Sequence, residues 1–327
     1  MSPTITLVVP NKDDSEGVLQ IFESLVHWVK LPDEIILVDC SKIPFSIPDN
    51  INVFLIKSNI NFKIIHKRNL FPGHARNLGV SSSSSDLIAF LDANTHPNSV
   101  WLSSNFDDYC NSENEIVWGA TKYLAKSNYV KVIQASTFGS IPIKTLPGSL
   151  ISKSIFPIVG KFINFIRAGE DADWIKRAEL HNIQSSTSSE PLIYESLNKL
   201  TYISLLKKWF RNFSYASNLP YISNHRTLYL YIAAMAFTVS AFNWNWIIAD
   251  WRAESFLYIP NITKIAIIFL LFLYFLLRGI LIPLKKGISL KYLLPFNFIK
   301  VAILSFLIDF TKLLAFILPK KPKNYLD

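Results

Sequence analysis

Two acidic residues follow short apolar runs in the first hundred residues. Asp39 comes directly after a run that ends at Val38, and Asp92 comes directly after a run that ends at Leu91, with Asn94 two residues later. If these runs are parallel strands, their carboxyl ends meet at the edge where open α/β sheets bind ligands. We therefore expect Asp39, Asp92 and Asn94 to lie at a ligand-binding edge, although Asp39 could instead only cap the next turn.

The first apolar run adds a loop to the same edge. Pro10 ends that run and places Asn11 and Asp13 directly after it. Both side chains carry oxygens that can accept hydrogen bonds. We expect this loop to lie beside Asp39.

A basic residue is predicted near a helix N-terminus. Arg76 and Asn77 lie early in a helix that should begin around Gly73, and a guanidinium at such a position favours a diphosphate. Arg76 could also form a structural ion pair with a sheet-edge carboxylate such as Asp92. The two roles are compatible.

A second acidic group, Glu170, Asp171 and Asp173, opens another predicted helix. Acidic residues stabilise the first turn of any helix, so capping alone could account for them.

Alternating β-branched runs and helical patterns predict an α/β fold with a mostly parallel sheet flanked by helices. A helix with Ser15 as its N-cap should carry an apolar stripe from Val18 to Val29, and Ser81 to Ser85 should be a polar turn. The predicted strands are Thr4 to Val9, Glu34 to Val38, Val53 to Ile56, Leu87 to Leu91 and Ile116 to Gly119.

Composition excludes several functional classes. The 327 residues include 10 Gly without a Gly-rich phosphate motif, which argues against P-loop and dinucleotide-binding proteins. Two cysteines cannot make a disulfide framework or a zinc site. The apolar run from Ile5 to Pro10 is too short for a signal peptide, so we expect none.

The charge is divided unevenly along the chain. Residues 1–196 carry 17 Lys and Arg against 20 Asp and Glu, whereas residues 197–327 carry 16 against 4. Basic residues among long apolar runs favour an anionic membrane surface over a nucleic acid. We expect no nucleic-acid partner.

The C-terminal part predicts membrane association. Within residues 197–226, an apolar stripe predicts an amphipathic helix in the membrane interface, with a helix packed on the main domain as the alternative. The stripe comprises Leu197, Leu200, Ile203, Leu206, Phe210 and Phe213.

Residues 227–327 are predicted to be a membrane region with two to three hydrophobic helices. Thr227 to Ile248 has no charge, and Ile265 to Pro283 contains only Arg278, so both are long enough or nearly so to span. The third run, Phe298 to Leu318, contains Lys300, Asp309 and Lys312. We favour an interfacial or re-entrant helix there, although Asp309 and Lys312 could pair and permit a span.

Five segments together resemble the family 2 glycosyltransferases of the GT-A fold. The resemblance covers about the first 195 residues, and five motifs in order are specific for the family but not for the sugar. The segments are Thr6-Leu-Val-Val-Pro10, Glu34-Ile-Ile-Leu-Val-Asp39-Cys-Ser41, Pro72-Gly-His-Ala-Arg76-Asn77-Leu-Gly79, Ile88-Ala-Phe-Leu-Asp92-Ala-Asn94 and Gly169-Glu170-Asp171-Ala-Asp173.

The resemblance implies a donor site for a nucleotide sugar, a UDP- or GDP-sugar. Asp39 would contact the base, and the segment with Arg76 and Asn77 would line the donor site. Asp92 and Asn94 stand where the family has Asp-x-Asp, which implies a divalent cation, Mg²⁺ or Mn²⁺. Asn94 is a neutral and weaker ligand, so the departure puts metal use in doubt. Pro10, Asn11 and Asp13 would lie near the nucleoside.

The resemblance also implies an inverting transfer with Asp171 as the general base and Glu170 orienting the acceptor. With the basic membrane region, it implies a lipid-linked or polysaccharide acceptor. We expect a multi-pass protein of the cytoplasmic membrane with its catalytic domain facing the cytoplasm, because short basic flanks are retained there.

Two alternatives remain open. A catalytically silent nucleotide-sugar-binding subunit would be consistent with Asn94 in place of an acid, but Glu170 and Asp171 argue against it. A nucleotidyltransferase would need a Gly-rich phosphate loop after the first strand, and none is present.

Overall fold

The computed structural model describes residues 2–217, 219, 227–232, 235, 254 and 262–319. These residues form two compact units. The first unit contains residues 2–126 and 141–199, and the second contains residues 127–140 and 200–319. The first unit ends at residue 199, and residues 127–140 join the second unit. The domain boundary at residue 196 stays a prediction.

The first unit is built on a mixed sheet. Strands β1, β2, β3 and β4 pair in parallel, whereas β6 is antiparallel to both β4 and β5. The order is β3-β2-β1-β4-β6-β5-β7, with β8 also paired to β5. The strands are β1 Ile5–Asn11, β2 Glu34–Asp39, β3 Asn61–His66, β4 Leu87–Phe90, β5 Ile116–Tyr123, β6 Ile143–Ser152, β7 Ser185–Thr187 and β8 Leu192–Tyr194.

Successive strand residues point to opposite sides of the sheet, so apolar side chains occur on both faces. Helices cover both of these faces. On β1, Leu7 packs in the core formed with α1, α2 and α4, while Val8 packs in the core formed with α3 and α7. The helices of this unit are α1 Ser15–Ser24, α2 Asp49–Lys57, α3 Pro72–Ser82, α4 Trp101–Asn111, α6 Phe156–Val159 and α7 Glu170–Leu180, and α5 Asn128–Ser136 lies in the second unit.

The predicted strand from Val53 to Ile56 is wrong, since these residues lie in α2. Ile51 and Leu55, one helical turn apart, are buried, whereas Val53 and Ile56 are 47% and 70% exposed. The apolar pattern therefore has the helical period. The strand at this place in the sheet is β3, whose polar residues concealed it.

The other predicted elements of the first unit are confirmed with small shifts. Asp14 rather than Ser15 caps α1, with its side chain accepting from the Gly17 amide. The helix ends at Ser24 and a 3-10 turn, Leu25–His27, follows, so the apolar stripe stops before Val29. The predicted turn from Ser81 to Ser85 is confirmed only for Ser83 to Ser85, since Ser81 and Ser82 form the end of α3.

The second unit is helical in its described part. α8 packs against α12, with the Phe213 and Phe316 rings in edge contact at 5.7 Å. α5 also packs there, and Ser136 Oγ donates to the Val301 carbonyl oxygen at 3.2 Å. The helices are α8 Tyr202–Ala216, α9 Ile262–Leu276, a π-helical turn Leu277–Leu281, α10 Ile282–Lys285, α11 Leu290–Leu293 and α12 Asn297–Ile317.

The predicted amphipathic helix corresponds to α8, but its buried side differs from the predicted stripe. Leu205 and Ser214 are buried, whereas Ile203 of the predicted stripe is 68% exposed. The helix therefore packs within the second unit, mainly on α12. Its placement in a membrane interface stays a prediction.

One helix in the described part of the chain, Ile268–Lys285, is long and apolar enough to cross a membrane. It matches the second predicted span. The first predicted span lies largely outside the described residues. The third run forms α12, where Asp309 lies 3.6 Å from Lys312, the pairing considered as the alternative, and 2.8 Å from Arg278 Nε. Several membrane-spanning helices are thus not established.

Candidate active site

Arg76 connects two parts of the sequence that are far apart. It projects from α3 and is 4% exposed. Its Nη1 donates to Glu170 Oε1 at 2.6 Å, and its Nη2 donates to Asp92 Oδ1 at 2.9 Å. The first turn of α7 is thereby linked to the loop after β4. The structural ion pair expected as an alternative for Arg76 is present, and diphosphate binding by Arg76 stays a prediction.

The charges in this cluster do not balance. Burial disfavours the charged guanidinium of Arg76, but Asp92 and Glu170 outweigh that effect and hold its pKa above the usual range. Burial and the neighbouring Asp171 carboxylate raise the pKa of Glu170 to about 7, against the opposing effect of Arg76. The carboxyl groups of Asp92, Glu170 and Asp171 thus lie around the single guanidinium of Arg76. This excess of negative charge favours binding of an added cation or a hydroxyl group over binding of a diphosphate without a cation.

Two buried atoms in the cluster lack a hydrogen-bond partner among the described residues. They are Glu170 Oε2 and Arg76 Nε. Buried polar atoms are normally paired, so such atoms call for a specific explanation. A ligand hydroxyl or a water could satisfy Glu170 Oε2.

Asp171 is the least engaged carboxylate of the cluster. It is half-buried, and its Oδ1 accepts from the adjacent Ala172 amide at 2.8 Å. No Lys, Arg or His of the described chain lies within 4 Å of it. Asp171 therefore retains acceptor capacity beside a buried network.

A turn of unusual backbone geometry places Asp171. Gly169 precedes α7 with φ of +93°, a left-handed conformation that glycine adopts without strain. Further along the helix, Trp174 Nε1 donates to the Gly160 carbonyl oxygen at 2.8 Å. Arg177 binds Asp173 and the Val159 carbonyl oxygen. Arg177 and Asp173 are therefore engaged in holding the helix on the preceding loop.

The loop that precedes α7 is also hydrogen-bonded to α3. Asn77 Nδ2 donates to the Phe162 carbonyl oxygen at 2.8 Å and to Asn164 Oδ1 at 2.7 Å. Asn77 Oδ1 accepts from the Phe162 amide at 2.9 Å. A Cβ at Gly73 would lie 2.3 Å from the Ile163 carbonyl oxygen, so only glycine fits there. Asn77 thus positions the loop that leads into α7, and its predicted contact with a donor stays a prediction.

Asp39 lies at the predicted edge but is engaged by the protein. Its side chain is fully buried. Oδ1 accepts from Asn11 Nδ2 and the Ser41 amide, and Oδ2 accepts from the Phe45 amide and lies 3.2 Å from His66 Nδ1. Burial alone would raise the pKa of Asp39, but the hydrogen bonds from Ser41, Phe45 and His66 outweigh it and lower the pKa. This is the turn-capping role expected as the alternative.

The loop after β1 completes this arrangement. Asn11 Oδ1 accepts from the Asp14 amide at 3.2 Å. Asp13 adopts a left-handed conformation with φ of +57°, its amide donates to Ser41 Oγ, and its Oδ1 accepts from the Lys42 amide. Pro10 is half-buried within β1. The loop and Asp39 thus form one network, as expected, while their contact with a nucleoside stays a prediction.

Asp92 and Asn94 offer hard oxygen atoms on the accessible side of Arg76. The Asp92 side chain is 29% exposed, and Asn94 is exposed. Asn94 Oδ1 accepts from the Tyr194 hydroxyl at 2.7 Å. No group of three or more His, Cys, Asp or Glu that could hold a metal occurs in the described residues. The donor set fits an open Mg²⁺ or Mn²⁺ site, which takes its remaining ligands from phosphates and water.

A match to a family model follows this part of the molecule closely. Residues 6–167 match the model for glycosyl transferase family 2. The chain belongs to glycosyl transferase family 2. The match contains Asp39, Arg76 and Asp92 and ends before Glu170 and Asp171. The expected family is therefore confirmed.

Relatives of this family 2 member are distant. Two pre-mycofactocin glycosyltransferases of Mycobacterium tuberculosis, from strains CDC 1551 / Oshkosh and ATCC 25618 / H37Rv, are 23% identical to it over 185 residues. The alignments cover 52% of this chain and 37% of each relative. The chain thus spans well under half the length of these relatives.

Crystal structures of TarS 1-349 from S. aureus also resemble the chain. One is 14% identical with a TM-score of 0.45, covering 66% of this chain and 66% of that chain. A second, in complex with UDP-GlcNAc, is 14% identical with a TM-score of 0.44, covering 66% of this chain and 67% of that chain.

Two tyrosines beside the family motif were missed from the sequence. Tyr194 binds Asn94, and its ring centroid lies 5.3 Å from that of Tyr123. Burial, with Asp92 nearby, raises the pKa of Tyr123 to about 12 and that of Tyr194 beyond its usual range. Both hydroxyls therefore stay protonated as donors. The short apolar run before Tyr194 was the available signal, since it forms β8 next to β5.

Proposed function

We propose that this chain is an inverting glycosyltransferase that moves a sugar from a nucleotide sugar to a hydroxyl of a membrane-associated or polysaccharide acceptor. The observation that carries the proposal is Asp171. Its carboxylate is half-buried, has no cation within 4 Å in the described chain, and adjoins the Glu170, Arg76 and Asp92 network.

The proposed reaction uses Asp171 as general base. Asp171 takes the proton of the acceptor hydroxyl as that oxygen forms a bond to the anomeric carbon. The bond from the anomeric carbon to the diphosphate oxygen breaks on the opposite face, and the nucleoside diphosphate leaves with the electron pair. Configuration at the anomeric carbon inverts as a result.

Glu170 is assigned to the acceptor. Its Oε2 atom has no hydrogen-bond partner among the described residues. Because the pKa of Glu170 is about 7, its carboxyl group can hold a proton and donate it in a hydrogen bond to an acceptor oxygen. Its other oxygen is fixed by Arg76. Glu170 is therefore suited to orient the acceptor while Asp171 takes the proton.

Asp92 and Asn94 would hold the divalent cation. When bound, Mg²⁺ or Mn²⁺ would offset the negative charge that develops on the departing diphosphate. Arg76 keeps Asp92 oriented through the bond at 2.9 Å. Asp39, Asn11 and Asp13 are proposed to shape the nucleoside end of the site through their network rather than through free carboxylate oxygens.

The membrane assignment is part of the proposal. The excess of basic residues beyond residue 196 and the apolar helix Ile268–Lys285 support a protein of the cytoplasmic membrane whose first unit faces the cytoplasm. A cysteine at Ser289, in a chain lacking Cys40 and Cys110, should react with an impermeant thiol reagent only after permeabilisation. Labelling of intact cells would overturn this orientation.

The main test is nucleoside diphosphate release. The purified full chain in detergent is incubated with a panel of nucleotide sugars, with and without lipid extract. Asp171→Asn should lower turnover by roughly 10²- to 10⁴-fold and leave donor binding nearly unchanged, because the base acts in the chemical step. Asp107→Asn, at an exposed acid of α4, is the matched control and should turn over normally. A loss smaller than about tenfold for Asp171→Asn would contradict the assignment.

A second candidate is a silent nucleotide-sugar-binding subunit. It is favoured by one observation, that Asn94 Oδ1 already accepts from Tyr194. This candidate predicts donor binding without turnover for every sugar and acceptor tested. Turnover that depends on Asp171 would exclude it.

A further inference from the structure

An open groove of about 470 Å³ lies in the second unit between α5, α8 and α12. Its apolar wall includes Val132, Ile303 and Leu307. Ile303 is 49% exposed and Leu307 is 40% exposed, so these two residues face out of the protein, whereas Val132 is 2% exposed. An apolar surface of this kind commonly marks an interaction site.

The groove is polar at one end only. Tyr129, Tyr202 and Lys300 line that end, where α5, α8 and α12 begin. Tyr202 donates its amide to the Tyr129 hydroxyl at 2.7 Å, and the two rings stack at 4.4 Å. From Lys300 to Leu307, α12 rises about 10 Å. The lining thus changes along one helix from a charged end to an apolar end.

A second cation lies close to the polar end. The Tyr292 hydroxyl donates to the carbonyl oxygen of Asn128, which lines the groove. Lys131 Nζ lies 4.4 Å from the Tyr292 ring centroid. Lys131 therefore lies beside the polar end of the groove, which Lys300 lines.

Acidic residues are nearly absent from the elements around the groove. Residues 127–140 contain no Asp or Glu, and residues 262–319 contain only Asp309. Asp309 is engaged by Arg278 and Lys312. Among the described residues, α5, α8 and α12 therefore offer no free carboxylate to neutralise Lys131 and Lys300, and the polar end complements an anion.

We propose that this groove binds one anionic phospholipid, with an acyl chain along Val132, Ile303 and Leu307 and the headgroup phosphate at Lys300. An amphiphile with one negative end matches both the apolar length and the uncompensated cation. Tyrosines at the polar end suit the boundary between acyl chain and headgroup. The lipid site does not depend on the proposed transfer reaction.

Native mass spectrometry of the full chain in detergent tests the proposal. The chain is titrated with phosphatidylglycerol, with phosphatidylcholine of the same acyl chains, and with glycerol phosphate. One phosphatidylglycerol should be retained per chain, at least fivefold more tightly than phosphatidylcholine, and glycerol phosphate should not be retained. Equal retention of the two phospholipids, retention of glycerol phosphate, or a second copy of the chain in place of lipid would each overturn it.

Paired variants locate the site. Lys300→Gln should weaken retention about fivefold, the effect typical of one basic residue at an anionic lipid surface. Lys285→Gln, at an exposed lysine of α10, should not. Ile303→Trp should fill the groove and reduce retention, whereas Ile268→Trp, at a 66% exposed position of α9, should leave it unchanged. Equal effects within either pair, for chains with unchanged thermal unfolding, would contradict the location.

Discussion

Asp39 and Asp171 are both aspartates of the first unit, and they are used in opposite ways. Asp39 is fully buried and takes donors from Asn11, Ser41 and Phe45, with His66 alongside. Asp171 is half-buried and accepts only from the adjacent amide of its own helix among the described residues. The Asp39 carboxylate is engaged in holding the ends of β1, β2 and β3 together, whereas the Asp171 carboxylate remains available for chemistry. Both are aspartates, so residue type alone does not separate these roles.

The largest expected effect is a difference in stability between the two Asp→Asn variants. Asp39→Asn should lower the free energy of unfolding by about 3 kcal/mol, because an amide group would face buried donors. Asp171→Asn should change it by less than about 0.5 kcal/mol. Denaturant titration, followed by fluorescence of the buried Trp118 and Trp174, measures both.

Equal stability of the two variants would contradict this assignment of roles. Such a result would mean that the Asp39 network is dispensable for folding, and it would restore Asp39 as a direct contact for the base. Asp107→Asn on the surface of α4 serves as the reference for a neutral change.

The next effect is a pH dependence from Glu170. Its pKa is about 7 in the folded chain against an ordinary value of 4.5, so the folded chain binds more protons between these values. Stability should therefore fall as pH rises from about 4.5 to about 7, by at most about 3 kcal/mol, and stay level above that. Glu170→Gln should remove this fall. Unfolding at a series of pH values provides the measurement.

Asp39 contributes to the same pH series at lower pH, because its pKa is lowered. Its contribution is present above its ordinary value of 3.8 and is lost as pH falls through the lower folded pKa. The two carboxyl groups therefore act in separate pH windows with opposite slopes. A Glu170→Gln variant with the slope of the unmodified chain between pH 4.5 and 7 would refute the assignment to Glu170.

The sheet edge was predictable because Asp39 and Asp92 follow strongly apolar strands. β3 was not, because Asn61, Lys63 and His66 give it a polar, half-exposed sequence. The run from Val53 to Ile56 misled because its residues are β-branched or apolar, and only the burial of Ile51 and Leu55 reveals the helical period.

Within the site, the pairing of Arg76 with Asp92 could be anticipated as an alternative, since Arg76 lies early in α3 and Asp92 follows β4 at the same sheet edge. The pairing of Arg76 with Glu170 could not, because the partners are 94 residues apart and meet only through the loop that precedes α7. Tyr194 was missed because a three-residue strand has no periodicity to identify it.

A smaller effect is expected at Asn77, which holds the loop before α7 through Phe162 and Asn164. Asn77→Ala should lower stability by about 2 kcal/mol, because it leaves buried backbone groups without partners. Turnover should fall more than donor affinity, since α7 carries Asp171. Asn52→Ala, at an exposed position of α2, is the control and should alter neither property. A fall in donor affinity alone would indicate that Asn77 contacts the donor directly.

The smallest expected effect concerns Asn94, which is exposed beside Asp92. Asn94→Asp would add a second carboxylate beside Asp92, so binding of UDP or GDP in the presence of Mg²⁺ should tighten about tenfold. The aspartate can still accept from Tyr194, and Tyr194→Phe separates loss of that hydrogen bond from the change in charge. Calorimetric titration with and without chelator distinguishes diphosphate binding through a cation from binding without one.

If chelator leaves nucleotide binding unchanged in both the unmodified chain and Asn94→Asp, the diphosphate charge is neutralised without a cation. Arg76 would then have to release Asp92 or Glu170 in order to bind the diphosphate. Arg76→Lys should in that case bind the nucleotide more weakly, because lysine cannot form the two-pronged pairing of arginine.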